Sequence, residues 1–455
     1  MTSATRLDEL PDELLLEIIT HFACIQSFEP QSVAFKQQKT EKARQRENRN
    51  RELVLYALCL VSHRTRAIAT PILYSSFVSC ATSYSLKPLR LFHRTICKKE
   101  PALGLEIRLA DCLQYVENRL ADHLGNSLQA DSEEDEDLLI VSQYFSMLAD
   151  ITKVALNLQH LNIVSLEVGT TSFWKNILSF ETFGTCAAFV THGYQKLQKL
   201  SFQIHEEAID FSGEKPSFRQ ICSALSSVPT LTDLRVSSIS VTGTSSLSLG
   251  SLEKLERVEI TETVLEFEDI CDILAACKDL RHISFHWAYL DPDDYTDLSD
   301  LYFRLLQHAE TLRSLHVDTR EVRTKRSMSM LGSLQPFASL ESLSISAAAL
   351  GFLHRKVDDV TEQFPDHRIS SILPRNLEKL EILLHAACEL VSVEPDHIRA
   401  LLDLVADVPR SLPRLRVVTV QCPYRFNTPD IANAFKDVGV RFDTVNETML
   451  ETRAW

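Results

Sequence analysis

Glycine is scarce in this 455-residue chain. Only 11 are present, where a typical ~7% would supply about 32. The closest two, Gly243 and Gly250, stand seven apart. No Gly-x-Gly and no Gly-x-x-x-x-Gly-Lys-[Ser/Thr] can therefore occur, which excludes the two commonest phosphate-cradling turns, the Rossmann fingerprint and the P-loop. The eleven cysteines are scattered singly and form no Cys-x-x-Cys; the nearest pair, Cys271 and Cys277, is six apart. An odd number in a long chain predicts buried, reduced thiols in a cytoplasmic or nuclear protein rather than a disulfide scaffold. Runs of about 18 apolar residues are missing too, the longest clean one being Leu53–Val61, roughly half a membrane span. The opening MTSATRLDELPDE has no apolar signal core. These features lead us to expect a soluble protein with no membrane partner.

Catalytic signatures are equally sparse. Neither Gly-x-Ser-x-Gly nor His-Glu-x-x-His occurs. The one His-x-x-x-His, His282/His286, falls on a predicted strand, where residues four apart lie ~13 Å from each other, too far to share zinc. Both histidines read as surface residues flanking buried Ile283 and Phe285. No metal, no cofactor and no catalytic residue is expected from these patterns. The net charge of −15 opposes broad adhesion to nucleic acid or anionic lipid, so no nucleic-acid partner is expected either. With 45% apolar and 24% charged residues the composition is that of a globular protein. At ~150 residues per domain it fits about three domains or one elongated repeat array.

What is present begins with LDELPDELLLEIITHFAC, residues 7–24. Pro11 suits a first helical turn, and Asp8, Glu9, Asp12 and Glu13 complement the macrodipole there. Leu14, Ile18 and Phe22 recur at helical spacing, with Leu15 and Ile19 beside them. A second apolar block, residues 52–77, reads ELVLYALCLVSHRTRAIATPILYSSF, with Pro71 expected to end the preceding helix. Between the blocks lies a basic insert, residues 36–52, with seven basic and three acidic side chains. It reads as a solvated charged helix or loop, or as a patch for nuclear import or RNA. The two blocks are more apolar than so small a unit can hide, so a partner or the next domain is expected to cover the surplus.

In combination, Leu10, Pro11, Glu13, Leu14 and Ile18, followed by Leu58, Leu60, Val61, Ser62, His63, Arg66, Ile68, Ala69, Pro71, Leu73 and Tyr74, resemble the F-box, over about a tenth of the chain. The resemblance implies a three-helix module docking on a Skp-type adaptor, and through it on a cullin–RING ubiquitin ligase. It implies adaptor contacts at Leu10, Pro11, Leu14, Ile18, Leu58 and Val61. The long insert departs from the family's spacing. The alternative reading of these helices is a plain cap on a larger domain.

From residue 158 onward Leu-x-x-apolar-x-apolar returns nine times, starting at Leu158, Leu197, Leu231, Leu255, Leu280, Leu312, Leu340, Leu377 and Leu415. The last three slots alternate apolar, polar, apolar, the period of a strand with one buried face. Residues 103–109, LGLEIRL, read as a tenth, poorer copy. Helical stretches are predicted between the strands, at Phe267–Lys278, Asp297–Glu310, Asp396–Val408 and Pro429–Val438, the last with Thr428 as N-cap and Gly439 just past its end. Strand then helix at this period resembles a leucine-rich-repeat solenoid, with parallel strands on a concave face and helices on a convex one. The Asn or Cys expected eight residues after each opening Leu is missing, so the array is irregular and its turns must be satisfied otherwise. A many-stranded α/β layer is the alternative.

The expected fold class is thus α/β: a helical module over 1–80 and an irregular solenoid over 81–455, interrupted by an acidic loop at 131–137. The Ser-rich stretch 236–252 reads as a connection, and the Asp-rich 291–300 as a turn lacking calcium-loop spacing. Alternate strand residues would form the binding face, with Arg235, Glu259, His286, His316, Asp318, Glu381 and Gln421 as candidate contacts to a protein target. Together these readings describe a non-catalytic substrate-recognition subunit of an SCF-type ubiquitin ligase. A repeat scaffold with no ligase role is the competing expectation.

Overall fold

The computed structural model describes residues 10–25, 38–78, 87–107, 109–111, 147, 150–165, 194–204, 228, 230–237, 252–263, 267–287, 298–320, 330–350, 368–384, 394–422 and 429–446. The chain forms two compact units, Met1–Leu231 and Thr232–Trp455. Both are α/β with a parallel sheet.

The first unit opens with three helices, α1 (Asp12–Thr20), α2 (Gln38–Val61) and α3 (His63–Leu73). Pro11 is the N-cap of α1, one position earlier than its sequence suggests, and its carbonyl accepts the Leu15 N–H at 3.1 Å. Asp12 and Glu13 occupy the first turn. Ser62 separates α2 from α3 with a capping box, its hydroxyl accepting the Thr65 N–H while Thr65 accepts the Ser62 N–H. Ile19, Leu55 and Ala69, one from each helix, form a small buried core joined by Phe22, Leu58, Cys59, Ile68, Ile72 and Leu73.

The basic insert takes the helical one of its two expected forms: residues 38–52 are the N-terminal half of α2, one unbroken 24-residue helix. Ala, Arg, Lys, Gln and Glu are all good helix formers, and the stretch holds neither Gly nor Pro to interrupt it. Pro71 does not end α3, which continues to Leu73. A proline in the last turn forfeits a single N–H bond, to a carbonyl on the exposed side of the helix at Ala67.

Strand β1 (Ser76–Val78) follows α3 directly and pairs in parallel with β2 (Leu109–Asp111), β2 with β3 (His160–Ser165), and β3 with β4 (Lys199–Ile204). The expected boundary at residue 80 therefore falls just after a strand of the sheet. Between β1 and β2, α4 (Lys87–Arg94) runs into a π-turn, Thr95–Lys99, and a 3-10 turn, Pro101–Glu106. Gly104 lies where a Cβ would meet the Val154 carbonyl at 3.1 Å.

The second unit is a sheet of eight strands, each paired in parallel with the next: β5 (Asp233–Ser237), β6 (Arg257–Thr263), β7 (His282–Trp287), β8 (Ser314–Asp318), β9 (Ser342–Ser346), β10 (Lys379–Leu383), β11 (Val417–Cys422) and β12 (Arg441–Asn446). Helices α5 (Phe267–Ala276), α6 (Leu298–Leu305), α7 (Glu394–Ser411) and α8 (Pro429–Asp437) lie between strands, close to the predicted spans. A 3-10 turn, Leu306–His308, extends α6. Phe435 of α8 stacks on Phe442 of β12 at 5.1 Å, which puts that helix on the apolar face of the sheet. Gly439 (φ +80°) ends α8, with the Val440 N–H on the Phe435 carbonyl and the Gly439 N–H on that of Lys436, a Schellman motif.

All nine Leu-x-x-apolar-x-apolar segments carry a strand. Every opening Leu is buried, from 0% exposed at Leu280, Leu312, Leu340 and Leu377 to 5% at Leu415. In seven of the nine segments the second residue has a common role. The carbonyls of Gln159, Thr232, Glu256, Arg281, Arg313, Glu341 and Glu378 each accept two N–H groups from the following repeat at 2.8–3.2 Å. The strand register places the tenth copy at 107–112 rather than 103–109, since Leu109 pairs with His160. Ile107, fully buried, then takes the opening slot. By the same register, β1 and β12 put Tyr74 and Gly439 in that slot, so neither strand shows the Leu that marks the others. The turns lacking Asn or Cys are closed by neighbouring strands: Thr319 N–H donates to Ser346 Oγ (2.7 Å), Ala347 N–H to the Leu383 carbonyl and Leu384 N–H to that of Gln421. Residues 131–137, most of 236–252, 291–297, and the N-cap at Thr428 lie outside the described residues.

Candidate functional site

Helix α1 carries two apolar stripes. Leu15 and Ile19, four apart, are buried, while Leu14 (46% exposed) and Ile18 (40%) form a parallel i, i+4 pair that is not. Helix α2 repeats the arrangement. Leu55 and the half-buried Leu58 and Cys59 face the core, whereas Leu53, Tyr56 and Leu60, spaced i, i+3, i+7, are all more than half exposed, as is Val61. Arg64, three residues beyond the end of α2, donates to the Leu10 carbonyl and to Asp12 Oδ1 (2.7 Å). The start of α1 is thereby tied to the α2–α3 junction, so Leu10, Pro11 and Val61 belong to one end of the module. Of the six residues expected on the adaptor face, Pro11, Leu14, Ile18 and Val61 are exposed, Leu10 is half-buried, and Leu58 packs against the module's core. The exposed Leu53, Tyr56 and Leu60 were missed, although their spacing within Leu53–Val61 is that of a helix face.

In the second unit, the sheet face opposite the apolar one is less open than alternation alone suggests. Arg235 and Glu259 lie in register on β5 and β6 with side chains 3% exposed, their Nε–Oε2 separation 3.1 Å. Two residues back, Asp233 pairs with Arg257 at 3.2 Å. The four charges alternate in sign both along and across the strands. A two-residue slip would set Arg235 against Arg257, so the pattern fixes register. Burial pushes the Glu259 carboxyl above its usual range despite Arg235 and Arg257, and pulls the Arg257 guanidinium down despite Asp233. Burial, reinforced by Arg257, lowers His282 to about 4.

A second knot of charge centres on Asp318, 2% exposed. Arg320 holds it bidentately (Nε–Oδ1 2.9 Å, Nη2–Oδ2 2.7 Å), and His286 Nε2 stands 3.7 Å from Oδ2. Burial alone would raise this carboxyl, but Arg320 overrides it and holds Asp318 well below the carboxylate range. Of the seven expected target contacts, Arg235, Glu259 and Asp318 are therefore buried in ion pairs. His286, His316, Glu381 and Gln421 are half-buried. His282 and His286, expected at the surface, are half-buried as well, flanking buried Ile283 and Phe285. Lys379 and Arg441 are exposed cations at the start of β10 and β12, the latter 2.8 Å from Asp443, and sequence reasoning passed over them because its candidates began two residues further along each strand.

Chemical candidates elsewhere are weak. His93 Nε2 lies 3.1 Å from Asp150 Oδ2, and Cys97 is nearby, but burial and Asp150 push its thiol up, away from a reactive thiolate. A cleft lined by Phe22, Cys24, Asn48, Glu52 and Leu55 encloses about 20 Å³, the room of one water. Among the described residues no group of three His, Cys, Asp or Glu side chains could hold a metal ion, and no helix is long and apolar enough to cross a membrane. No protein-family model and no curated protein matches the chain.

Proposed function

We propose that this chain is the substrate-recognition subunit of an SCF-type ubiquitin ligase, with an F-box-like module at residues 10–74 and leucine-rich repeats behind it. The observation that carries the reading is the second, uncovered apolar stripe on both α1 and α2, in a module whose residues resemble the F-box. Isolated exposed leucines are ordinary; paired stripes at helical spacing on adjoining helices mark a surface built to be covered. Burying a Leu, Ile or Val there contributes roughly 1.5–3 kcal/mol before association costs. The parallel strands, each bearing the Leu-x-x-apolar-x-apolar pattern, support the repeat reading.

The mechanism is proximity. A Skp-type adaptor covers the helical stripes, a protein target occupies the open part of the polar sheet face, and the ligase meets target lysines at high effective concentration. This chain contributes no bond chemistry of its own. The half-buried His316, Glu381 and Gln421, with exposed Lys379 and Arg441, are the target-facing groups under this reading. The test is binding of the full chain to purified Skp-type adaptor. Wild type is expected to bind at micromolar concentration or better, and Leu14→Asp with Val61→Asp to abolish binding while the circular dichroism spectrum is unchanged. Failure of wild type to bind would leave a scaffold with no ligase role.

A further inference from the structure

The basic half of α2 has a geometry that the adaptor reading alone does not require. Along this helix, positions 46 and 49 are followed by 53, 56 and 60, an unbroken alternation of three- and four-residue steps. That is the spacing of a helix-packing seam. Its last three positions are the exposed Leu53, Tyr56 and Leu60. Its first two are Arg46 and Arg49, both exposed, with Glu52 close enough to Arg49 to feel its charge. One seam about 21 Å long therefore changes from cationic to apolar along its length.

The opposite edge of the same helix shows that this extension is held in place. Asn48, 4% exposed, accepts the Ile25 N–H (2.8 Å) and donates to the Ile25 carbonyl (3.1 Å). Arg44 donates to that carbonyl as well (2.8 Å), and Arg51 to those of His21 and Ala23 (2.9 and 3.0 Å). The chain leaving α1 is thus stapled to the insert by the 44/48/51 edge, which continues into buried Leu55. The 46/49 edge points elsewhere. A charged helix kept only for solubility has no need of such an anchor.

We infer that the α2 seam is one continuous docking surface, on which the adaptor's apolar groove takes Leu53, Tyr56 and Leu60 while an acidic strip bordering that groove lies along Arg46 and Arg49. The inference rests on the adaptor reading and adds the acidic chemistry of the partner. An anionic membrane is a poorer occupant. A helix lying in a bilayer interface needs apolar side chains along its whole buried face, with cations on the other face. Here cations and apolar groups share a single face in succession.

The experiment is titration of the full chain with purified Skp-type adaptor at low and at physiological ionic strength. Arg46→Glu with Arg49→Glu is expected to weaken binding ~10-fold or more at low salt and to flatten its salt dependence, as reversal of interfacial charge does. Leu60→Asp is expected to weaken binding equally at both salt levels. Both variants substitute exposed side chains, and unchanged circular dichroism and melting temperature verify the fold. Unchanged affinity of the charge-reversed chain at low salt overturns the inference and leaves the adaptor reading standing. If wild type does not bind the adaptor, both fall. Sedimentation of wild type with phosphatidylserine vesicles, lost on charge reversal, assigns the seam to lipid and overturns the inference as well.

Discussion

The helical module and the eight-stranded unit use apolar residues in opposite ways. In the described part of Thr232–Trp455 every repeat leucine is buried to 5% exposure or less, and only Phe303, Leu402 and Val445 remain as large exposed apolar side chains. The described residues of 10–78 leave nine exposed, among them Leu14, Ile18, Leu53, Tyr56, Leu60 and Val61. Length explains part of this. Stacked repeats cover each other's stripes, whereas three helices on a small core cannot hide the second stripes of α1 and α2. The lesson is that the described sheet residues close their own apolar surface and the described module residues do not.

The contrast yields graded predictions. The largest effects belong to the closed unit. Phe285→Ala, at a residue with no exposed surface, is expected to cost about 3–5 kcal/mol, whereas Leu60→Ala, 70% exposed, is expected to cost less than about 0.5 kcal/mol. Denaturant melts of the two variants check this, and comparable losses would erase the distinction between the regions. Asp318→Ala comes next. It leaves Arg320, itself 11% exposed, without the carboxylate it grips, at a cost of about 3–5 kcal/mol. Asp318→Asn should cost less, because the amide oxygen still accepts.

Smaller effects sharpen the picture. His282 titrates near 4 in the folded chain against about 6.5 unfolded. A lowered histidine favours folding while neutral, so its contribution is intact above about pH 6.5 and is lost as pH falls toward 4. Because His282 is only half-buried, the loss is discounted to about 1–2 kcal/mol. His282→Gln should flatten that part of the stability–pH curve, and an unaltered curve would place the titrating group elsewhere. In the module, Ser62→Ala removes the α3 cap and should cost about 1 kcal/mol.

The sequence was most legible where one period repeated. All nine opening leucines and their strands could be placed because the alternation behind each Leu recurs in a pattern no helix would keep. β1 and β12 were hidden because Tyr74 and Gly439 take the opening slot. The shifted tenth copy was hidden for the same reason, since Ile107 stands where Leu was sought. The site was harder to read. Alternation tells which residues leave the apolar face but not whether they reach solvent, so Arg235, Glu259 and Asp318 were expected in the open and lie buried in ion pairs. For the insert, charge alone does not separate a solvated helix from a loop; its helix-forming composition, together with the side chains that staple Ile25, makes it the front half of α2.

The most direct measurement is calorimetric titration of the full chain with Skp-type adaptor, alongside the Leu14→Asp/Val61→Asp variant. The account predicts saturable one-to-one binding for wild type, with the negative heat-capacity change of apolar burial, and no measurable heat for the variant at unchanged stability. Equal binding by both chains, or none by wild type, would contradict it.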